Sequence, residues 1–130
     1  MRIIGLDHLV LTVRDVAASS EFYARALGAE VLSSADGRKA VRLGAHKINL
    51  HPVGAEFEPK ALSPRPGSGD FCLLVAEPMA EVTARLAEAG VEVVAGPVPR
   101  QGAAGRLISV YFRDPDGNLV ELARIEPQAP

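Results

Sequence analysis

Two short stretches of the chain are alternating or continuous apolar runs, and each is followed by residues at helical spacing. The stretches are "DHLVLTV", residues 7–13, and "DFCLLVA", residues 70–76, which predict β-strands. Asp15 is the predicted N-cap of the first helix, and Gly28 and Gly90 end the two helical patterns. The residues at helical spacing are Val16, Ser20, Tyr23 and Leu27, then Met79, Val82, Leu86 and Ala89. The pattern therefore predicts two strand–helix units.

The two units are halves of an internal repeat. Shifted by about 62 residues, the sequence places His8 on Asp70 and Gly28 on Gly90. Three short strands are predicted after each helix, at about 30–34, 38–43 and 46–52, and at about 91–95, 106–112 and 118–125. The segment "AGPVPRQGAAGR" is predicted to be a long loop. The sequence thus indicates an α+β fold built from two βαβββ modules.

These modules give the expected domain organisation. We expect residues 1–130 to form a single domain, because this length suits one compact core. Its predicted parts are module 1 at about 3–53, a Pro- and Gly-rich linker at about 54–69, module 2 at about 70–125 and a C-terminal tail at 126–130.

Composition narrows the possible partners. With 48% hydrophobic residues, 23% charged residues and a net charge of −2, the chain has no electrostatic reason to bind nucleic acid. The N-terminus does not resemble a cleavable signal, and no apolar run is long enough to span a membrane, so we expect a cytoplasmic protein. The single cysteine, Cys72, lies in an apolar run and is expected to be a small buried residue.

Ligand-type side chains share the polar faces of the predicted strands. Because alternate strand residues point to opposite sides, the apolar face of each strand is expected to carry the helix. The other face then holds His8, Asn49 or His51, Asp70 and Glu121, on the concave side of two curved sheets. A buried carboxylate needs a partner, so Glu121 is expected to meet these groups or a metal ion in a shared concave cleft.

The segments "LDHLVLTVRDVAASSEFYARALG" and "VYFRDPDGNLVELARI" together resemble the vicinal oxygen chelate superfamily. This superfamily includes glyoxalase I, bleomycin-resistance proteins, fosfomycin-inactivating enzymes and extradiol dioxygenases. The resemblance runs from about residue 4 to 125 and implies the family's paired βαβββ fold and one divalent metal ion. The "INLH" and "GSGDFC" segments look closer to small, uncharacterised glyoxalase-domain proteins than to glyoxalase I.

The resemblance also suggests the metal ligands. His8 and Glu121 match the first and last metal positions of the family, and Asp70 stands where many members have a second histidine. One metal position of the family remains. The alignment of the strands favours Asn49 there, whereas coordination chemistry favours His51, because imidazole is a better ligand than a carboxamide. The predicted set is His8, His51, Glu121 and Asp70, with Mn, Ni, Zn, Fe or Mg as the ion, or with no metal at all.

Other residues have weaker signals. Arg100 and Arg106 flank a Gly-rich loop and are predicted to hold an anionic substrate. Phe22 and Tyr23 are expected in the core, and His46 in solvent.

The resemblance implies a metal-dependent lyase or isomerase that acts on a small oxygen-chelating metabolite, with Glu121 or Asp70 moving a proton. The alternative is a non-catalytic, small-molecule-binding protein of the bleomycin-resistance kind. An Fe(II) extradiol dioxygenase ranks lower, because no further acid or base histidine lies on the polar face. Small relatives are usually homodimers, and we expect one here.

Overall fold

The computed structural model describes residues 1–127 and divides them into two compact units. The first, called module 1 below, contains Met1–Ser68 together with Pro115–Gly117. The second, module 2, contains Gly69–Asp114 and the chain from Asn118 onward. The last three residues of the predicted tail, 128–130, lie outside the described residues, and the prediction of a single domain stays a prediction.

Module 1 is a four-stranded mixed sheet with one helix. Its strands follow the order β1-β4-β3-β2, with β1 and β4 parallel and the other pairs antiparallel. The helix lies against β3 and β4. The elements are β1 (His8–Val13), α1 (Val16–Leu27), β2 (Glu30–Ser33), β3 (Lys39–Leu43) and β4 (His46–Pro52).

Local signals set the ends of α1. The Asp15 side chain accepts a hydrogen bond from the Ala18 backbone N–H at 3.0 Å, which satisfies one of the free donors of the first turn. Gly28 follows the helix with a φ of 66°, a left-handed conformation that favours glycine. The predicted core residues Phe22 and Tyr23 are buried, with their rings edge to face at 5.5 Å. The prediction for this helix is confirmed at both ends.

Module 2 repeats the architecture. Its strand order is β5-β8-β7-β6, with β5 and β8 parallel and the other pairs antiparallel. Val110, Phe112, Val120 and Leu122 are buried on one face of the sheet, and the helix lies against β7. The elements are β5 (Asp70–Leu74), α2 (Met79–Glu88), β6 (Ala95–Gly102), β7 (Gly105–Arg113) and β8 (Leu119–Ile125). Both modules are therefore βαβββ units, and the predicted α+β fold class is confirmed.

Strand β6 differs from the prediction. Residues 91–95 were expected to be the strand and 95–106 a loop, but the strand runs from Ala95 to Gly102 and pairs with β7. Two prolines, Pro97 and Pro99, suggested a loop because proline cannot donate to a ladder. The strand is at the edge of the sheet, where this missing donor is tolerated, and its register shifts between Ala95 and Val98.

The turn between β7 and β8 is fixed by buried polar side chains. In module 2, the Asp114 carboxylate accepts from the Asn118 backbone N–H at 2.9 Å and from its Nδ2 at 2.7 Å. The Asn118 Oδ1 accepts from the Gly69 N–H at 2.7 Å, so this network holds the chain just before Asp70. In module 1, the buried Asp116 carboxylate accepts from the Arg14 N–H at 2.9 Å.

Neither α1 with its 12 residues nor α2 with its 10 has the length that a membrane-crossing helix needs, and residues 1–127 hold no other α-helix.

Candidate functional site

Each sheet buries most of its large apolar side chains on one face and carries the predicted polar residues on the other, which we call the open face. In module 1, Ile48 and Leu50 are buried, whereas His8 is exposed and Asn49 is half-buried. In module 2, Val120 is buried and Glu121 is half-buried. The alternation that the sequence predicted is therefore present in both modules.

On the open face of module 1, His8 is oriented by the residue before it. Its Nδ1 donates to the Asp7 carboxylate at 2.7 Å. This hydrogen bond is the main reason why the pKa of the Asp7 carboxyl lies below its usual range. A carboxylate on one ring nitrogen is the usual support of a histidine whose other nitrogen binds a ligand. The Nε2 atom of His8 thus has the arrangement of a ligand atom.

His51 is on the same open face but farther along it. In the parallel β1–β4 pair, His8 is level with Lys47 and His51 with Thr12. His51 therefore lies four residues beyond the level of His8, ~13 Å along the strand. Asn49 is two residues beyond, level with Val10, so Asn49 lies nearer to His8 than His51 does.

The surroundings of His51 also differ from those of a ligand. Its ring meets the Phe57 ring edge to face, with the centroids 5.0 Å apart. The Arg38 guanidinium lies 3.9 Å from the centroid of the same Phe57 ring. Burial first, and then the positive charge of Arg38, lower the pKa of His51. His51 is thus a neutral member of an aromatic cluster at neutral pH.

On the open face of module 2, Glu121 lies between two neighbours. It is level with Cys72 of β5 and with Tyr111 of β7. Partial burial of the sulphur, followed by the charge of Glu121 and its hydrogen bond, raises the pKa of the Cys72 thiol to about 11. Cys72 is therefore protonated at neutral pH, and its Sγ donates to the Leu73 carbonyl oxygen at 4.0 Å.

The prediction that Cys72 is buried is wrong, because the residue is exposed. Its position in an apolar run suggested burial, but alternate residues of an edge strand point to opposite faces, and only one of these faces is covered by the helix. Asp70, which precedes it on the same face, is level with Leu119 and so lies two residues from the level of Glu121.

The two predicted substrate-binding arginines lie on opposite faces of the β6–β7 hairpin. Arg100 is on the open face, where its Nε donates to the Tyr111 hydroxyl at 2.9 Å. Arg106 alternates with the open-face residues of β7, and its Nε is 3.8 Å from the Glu126 carboxylate. Residues on one face of a strand are an even number of positions apart. Leu107, which is level with Arg100, therefore shares a face of β7 with Tyr111, which is level with Glu121. Arg106 lies on the other face, so only Arg100 shares the face of Glu121.

The predicted metal set can be tested against these positions. Within residues 1–127, no group of three or more His, Cys, Asp and Glu side chains is placed to hold a metal ion. His8 is level with Lys47, with Asn49 two residues beyond, and Glu121 is level with Cys72 and Tyr111. Neither module by itself supplies a donor set that fits a divalent ion. No step of the mechanism below is therefore assigned to a metal.

Two residues of the open face of module 2 were not predicted from the sequence. Ser109 is fully buried, and its Oγ has no hydrogen-bond partner among the described residues. Tyr111 contacts Arg100 and is level with Glu121. The alternation in "SVYF", residues 109–112, could have indicated them, because Val110 and Phe112 point to the buried face and Ser109 and Tyr111 therefore point to the other.

The paired βαβββ modules, with polar residues on their open faces, define an α+β protein of the glyoxalase fold class. Residues 5–122 match the family model of the Glyoxalase/Bleomycin resistance protein/Dioxygenase superfamily. The chain belongs to this superfamily, and the resemblance noted in the sequence is confirmed.

Similar proteins come from bacteria and fungi. The chain is 47% identical to virulence protein STM3117 of Salmonella typhimurium over 119 residues, which cover 92% of this chain and 83% of that protein. The crystal structure of that protein has a TM-score of 0.94, at 46% identity, covering 97% of this chain and 100% of that one. Glyoxalase domain-containing protein RDO1 of Mycosarcoma maydis is 50% identical over 119 residues, 92% of this chain and 67% of that protein.

More distant relatives have more specific names. An ethylmalonyl-CoA/methylmalonyl-CoA epimerase of Cereibacter sphaeroides is 33% identical over 132 residues, 92% of this chain and 97% of that protein. The antibiotic binding protein TnmS3 of a Streptomyces species has a TM-score of 0.73 at 25% identity, with 97% and 99% coverage. The fosfomycin resistance protein FosX of Listeria monocytogenes, solved with Mn(II), has a TM-score of 0.62 at 27% identity, with 93% and 90% coverage.

Proposed function

We propose that the protein is an enzyme of the lyase or isomerase kind that moves a proton on a small, oxygen-rich metabolite, with Glu121 as the proton acceptor. The observation that carries the proposal is the setting of Glu121. Its carboxylate is half-buried on the open face of module 2, level with Cys72 and Tyr111. A base in this setting is positioned by its neighbours and remains accessible to a small molecule.

The neighbours of Glu121 assign the steps. The protonated Cys72 thiol lies beside the carboxylate on the neighbouring strand β5. Glu121 takes a proton from a carbon next to a carbonyl group, and the carbonyl oxygen gains the negative charge. Tyr111, whose hydroxyl accepts from Arg100, lies beside Glu121 on the same face. Return of the proton from Glu121 to carbon or oxygen completes an isomerisation.

One relative supports this kind of chemistry by its name. An epimerase inverts a carbon centre, which requires a proton to leave and to return, and the relative with that name is 33% identical to the chain. Proton transfer is also the chemistry proposed for Glu121, so isomerisation is included in the proposed reaction class. The substrate named in that relative is not assigned to this chain.

The experiment is proton exchange in deuterated water. The full-length protein is incubated with a panel of hydroxy ketones, oxo acids and branched thioesters, and NMR follows deuterium at the carbon next to the carbonyl. We expect Glu121→Gln to slow the exchange by about 10²–10⁴-fold, the usual contribution of a positioned base. Glu126→Gln is the control, since Glu126 pairs with Arg106 away from the open face.

Two outcomes contradict the proposal. One is that the unmodified protein exchanges none of the panel. The other is that Glu121→Gln exchanges the active compound as fast as Glu126→Gln does.

The divalent metal remains a proposal for this chain. The fosfomycin resistance relative was solved with Mn(II), and His8 has the carboxylate support that metal-binding histidines share. Elemental analysis after loading with Mn²⁺, Ni²⁺, Zn²⁺, Fe²⁺ or Mg²⁺ tests it. About one ion per chain, lost in His8→Ala but kept in His46→Ala, is the expected result. Retention of the ion in His8→Ala contradicts this ligand.

A second candidate is a protein that binds a small molecule without converting it. The favouring observation is Asn49, which is level with Val10 in module 1 as Glu121 is with Cys72 in module 2. A carboxamide at this position is neither a base nor a good metal ligand. TnmS3, named as an antibiotic binding protein, has the same fold. Tight binding of a compound that the protein never exchanges, unchanged by Glu121→Gln, is the result expected for this candidate.

We also propose that the protein is a homodimer, as small relatives usually are. Light scattering after size exclusion is expected to give twice the mass of one chain at micromolar concentration. A single-chain mass under those conditions contradicts the dimer.

A further inference from the structure

Ser109 has no evident structural reason to be a serine. It is fully buried on the open face of module 2, level with Val98 of β6 and Ala123 of β8. Among the residues that the structure describes, its Oγ has no hydrogen-bond partner. A buried hydroxyl without a partner destabilises a fold, and alanine fits the same space. The hydroxyl is therefore better explained by a ligand than by folding.

A hydrogen bond between two long side chains spans this position. Arg100 is level with Leu107, and Tyr111 is level with Glu121. Along β7, Ser109 is the open-face residue between Leu107 and Tyr111. The bond from Arg100 Nε to the Tyr111 hydroxyl, 2.9 Å long, therefore reaches along the strand past Ser109. Arg100 itself is exposed, so a ligand can reach its guanidinium.

We infer that Ser109, Tyr111 and Arg100 form a subsite for a carboxylate group of the substrate, an inference that rests on the proposed function of Glu121. All three side chains carry donors, and a planar guanidinium matches the two oxygens of a carboxylate. When the carboxylate binds, the Arg100 guanidinium turns from the Tyr111 hydroxyl to the ligand, and the Ser109 hydroxyl gains an acceptor.

The position of the subsite defines the substrate class. Tyr111 is level with Glu121 on the neighbouring strand, and directly opposed side chains in a sheet lie about 4.5–5.5 Å apart at Cβ. A carboxylate held at the subsite thus brings a carbon one or two bonds away to Glu121. The substrate is a short carboxylic acid with a carbonyl group near the acid group.

The test is an NMR titration of the ¹⁵N-labelled, full-length protein with malonate, and separately with inorganic phosphate. We expect malonate to shift the Arg100 Nε–H signal and the backbone signals of Ser109 and Tyr111. Ser109→Ala, Arg100→Gln and Tyr111→Phe are each expected to weaken malonate binding by about tenfold, the effect of losing one charge-assisted hydrogen bond. Arg85→Gln, on α2, is the control with an exposed, ion-paired arginine.

Loss of stability is not expected to explain weaker malonate binding by the Ser109 variant. Ser109→Ala removes an unpartnered buried group, so its melting temperature is expected to equal or exceed that of the unmodified protein. Weaker malonate binding by a variant of unchanged stability then supports the subsite. Equal malonate binding by Ser109→Ala and the unmodified protein overturns it, as does the absence of shifts at Arg100. Tighter binding of phosphate than of malonate at these residues overturns the assignment to a carboxylate.

Glu121→Gln separates this inference from the proposed function. If Glu121 is the base and the subsite is correct, the variant loses proton exchange and still binds malonate. If the variant exchanges protons at the normal rate and malonate still binds at Ser109, the proposed function is rejected and the subsite is retained. Exchange that depends on Glu121, with no malonate shifts, removes the subsite and leaves the function.

Discussion

Glu121 and Cys72 lie level with each other across the β5–β8 pair, and the carboxylate helps to keep the thiol protonated. The charge and the hydrogen bond of Glu121 add to partial burial in raising the pKa of the Cys72 thiol to about 11. A free cysteine ordinarily titrates near roughly 8.5, and only its thiolate is nucleophilic. Cys72 is therefore a protonated thiol at neutral pH and is not a nucleophile.

Cys72 is accordingly expected to react slowly with iodoacetamide at pH 8, even though it is exposed. Glu121→Gln removes two of the three causes of the raised pKa, so the thiol of this variant is expected to alkylate faster. Below the pKa, each unit of decrease raises the thiolate fraction about tenfold. Mass spectrometry of the reaction across pH 7–11 measures both curves. Equal curves for Glu121→Gln and the control Glu126→Gln contradict the contact.

At the residue scale His51 gives a prediction about pH. Burial lowers its pKa in the folded chain, whereas the unfolded chain has the ordinary value of roughly 6.5. The unfolded chain therefore binds more protons below about pH 6.5, and this contribution to stability is lost as the pH falls through that value toward the lower folded pKa.

We expect the urea midpoint of the unmodified protein to fall between pH 7 and pH 5 more steeply than that of His51→Gln. His46→Gln, a change at an exposed histidine on the same strand, is expected to keep the steep fall. If His51→Gln and the unmodified protein show the same dependence on pH, His51 is not the half-buried, neutral group described here.

At the element scale, strand β6 depends on a glycine that approaches β7 closely. Gly96 has a φ of 95°, and a Cβ built there would lie 2.3 Å from the Ser109 carbonyl oxygen. Gly44 also has a positive φ, of 61°, but a Cβ there meets nothing within 4 Å. Gly44 is therefore a matched control that contains the backbone strain without the clash.

Gly96→Ala is expected to lower the free energy of unfolding by about 3 kcal/mol or more, and Gly44→Ala by about 1–2 kcal/mol. Urea denaturation of both variants measures the difference. Equal losses in the two variants contradict the close approach of β6 to β7.

The same strand illustrates what sequence patterns can predict about an element. The ends of α1 were predictable because Asp15 and Gly28 act within one helical turn of their own positions. The position of β6 was not, because its prolines are tolerated only at a sheet edge, and edge position depends on strand order. The distance between His8 and His51 was likewise not predictable, because it depends on how β1 pairs with β4, which is distant in sequence.

At the scale of the whole molecule, the internal repeat predicted most of the architecture. Two halves with the same pattern gave two βαβββ modules, because each helix has to cover the apolar face of its own sheet. The choice among polar residues was harder to predict. Arg106 and Arg100 both flank one loop in the sequence, yet alternation puts them on opposite faces. Ser109 looked like an ordinary strand residue, since its missing partner is visible only in three dimensions.

Deuterium incorporation at the carbon next to the carbonyl of a short oxo or hydroxy acid is the most direct test of the account. It is measured for the unmodified protein and Glu121→Gln, with kcat and KM separated. A base loses kcat when it is replaced, whereas the carboxylate subsite keeps KM nearly constant. The account predicts a fall in kcat of about 10²-fold or more with KM within about threefold. A kcat that survives in Glu121→Gln would contradict the central role of Glu121.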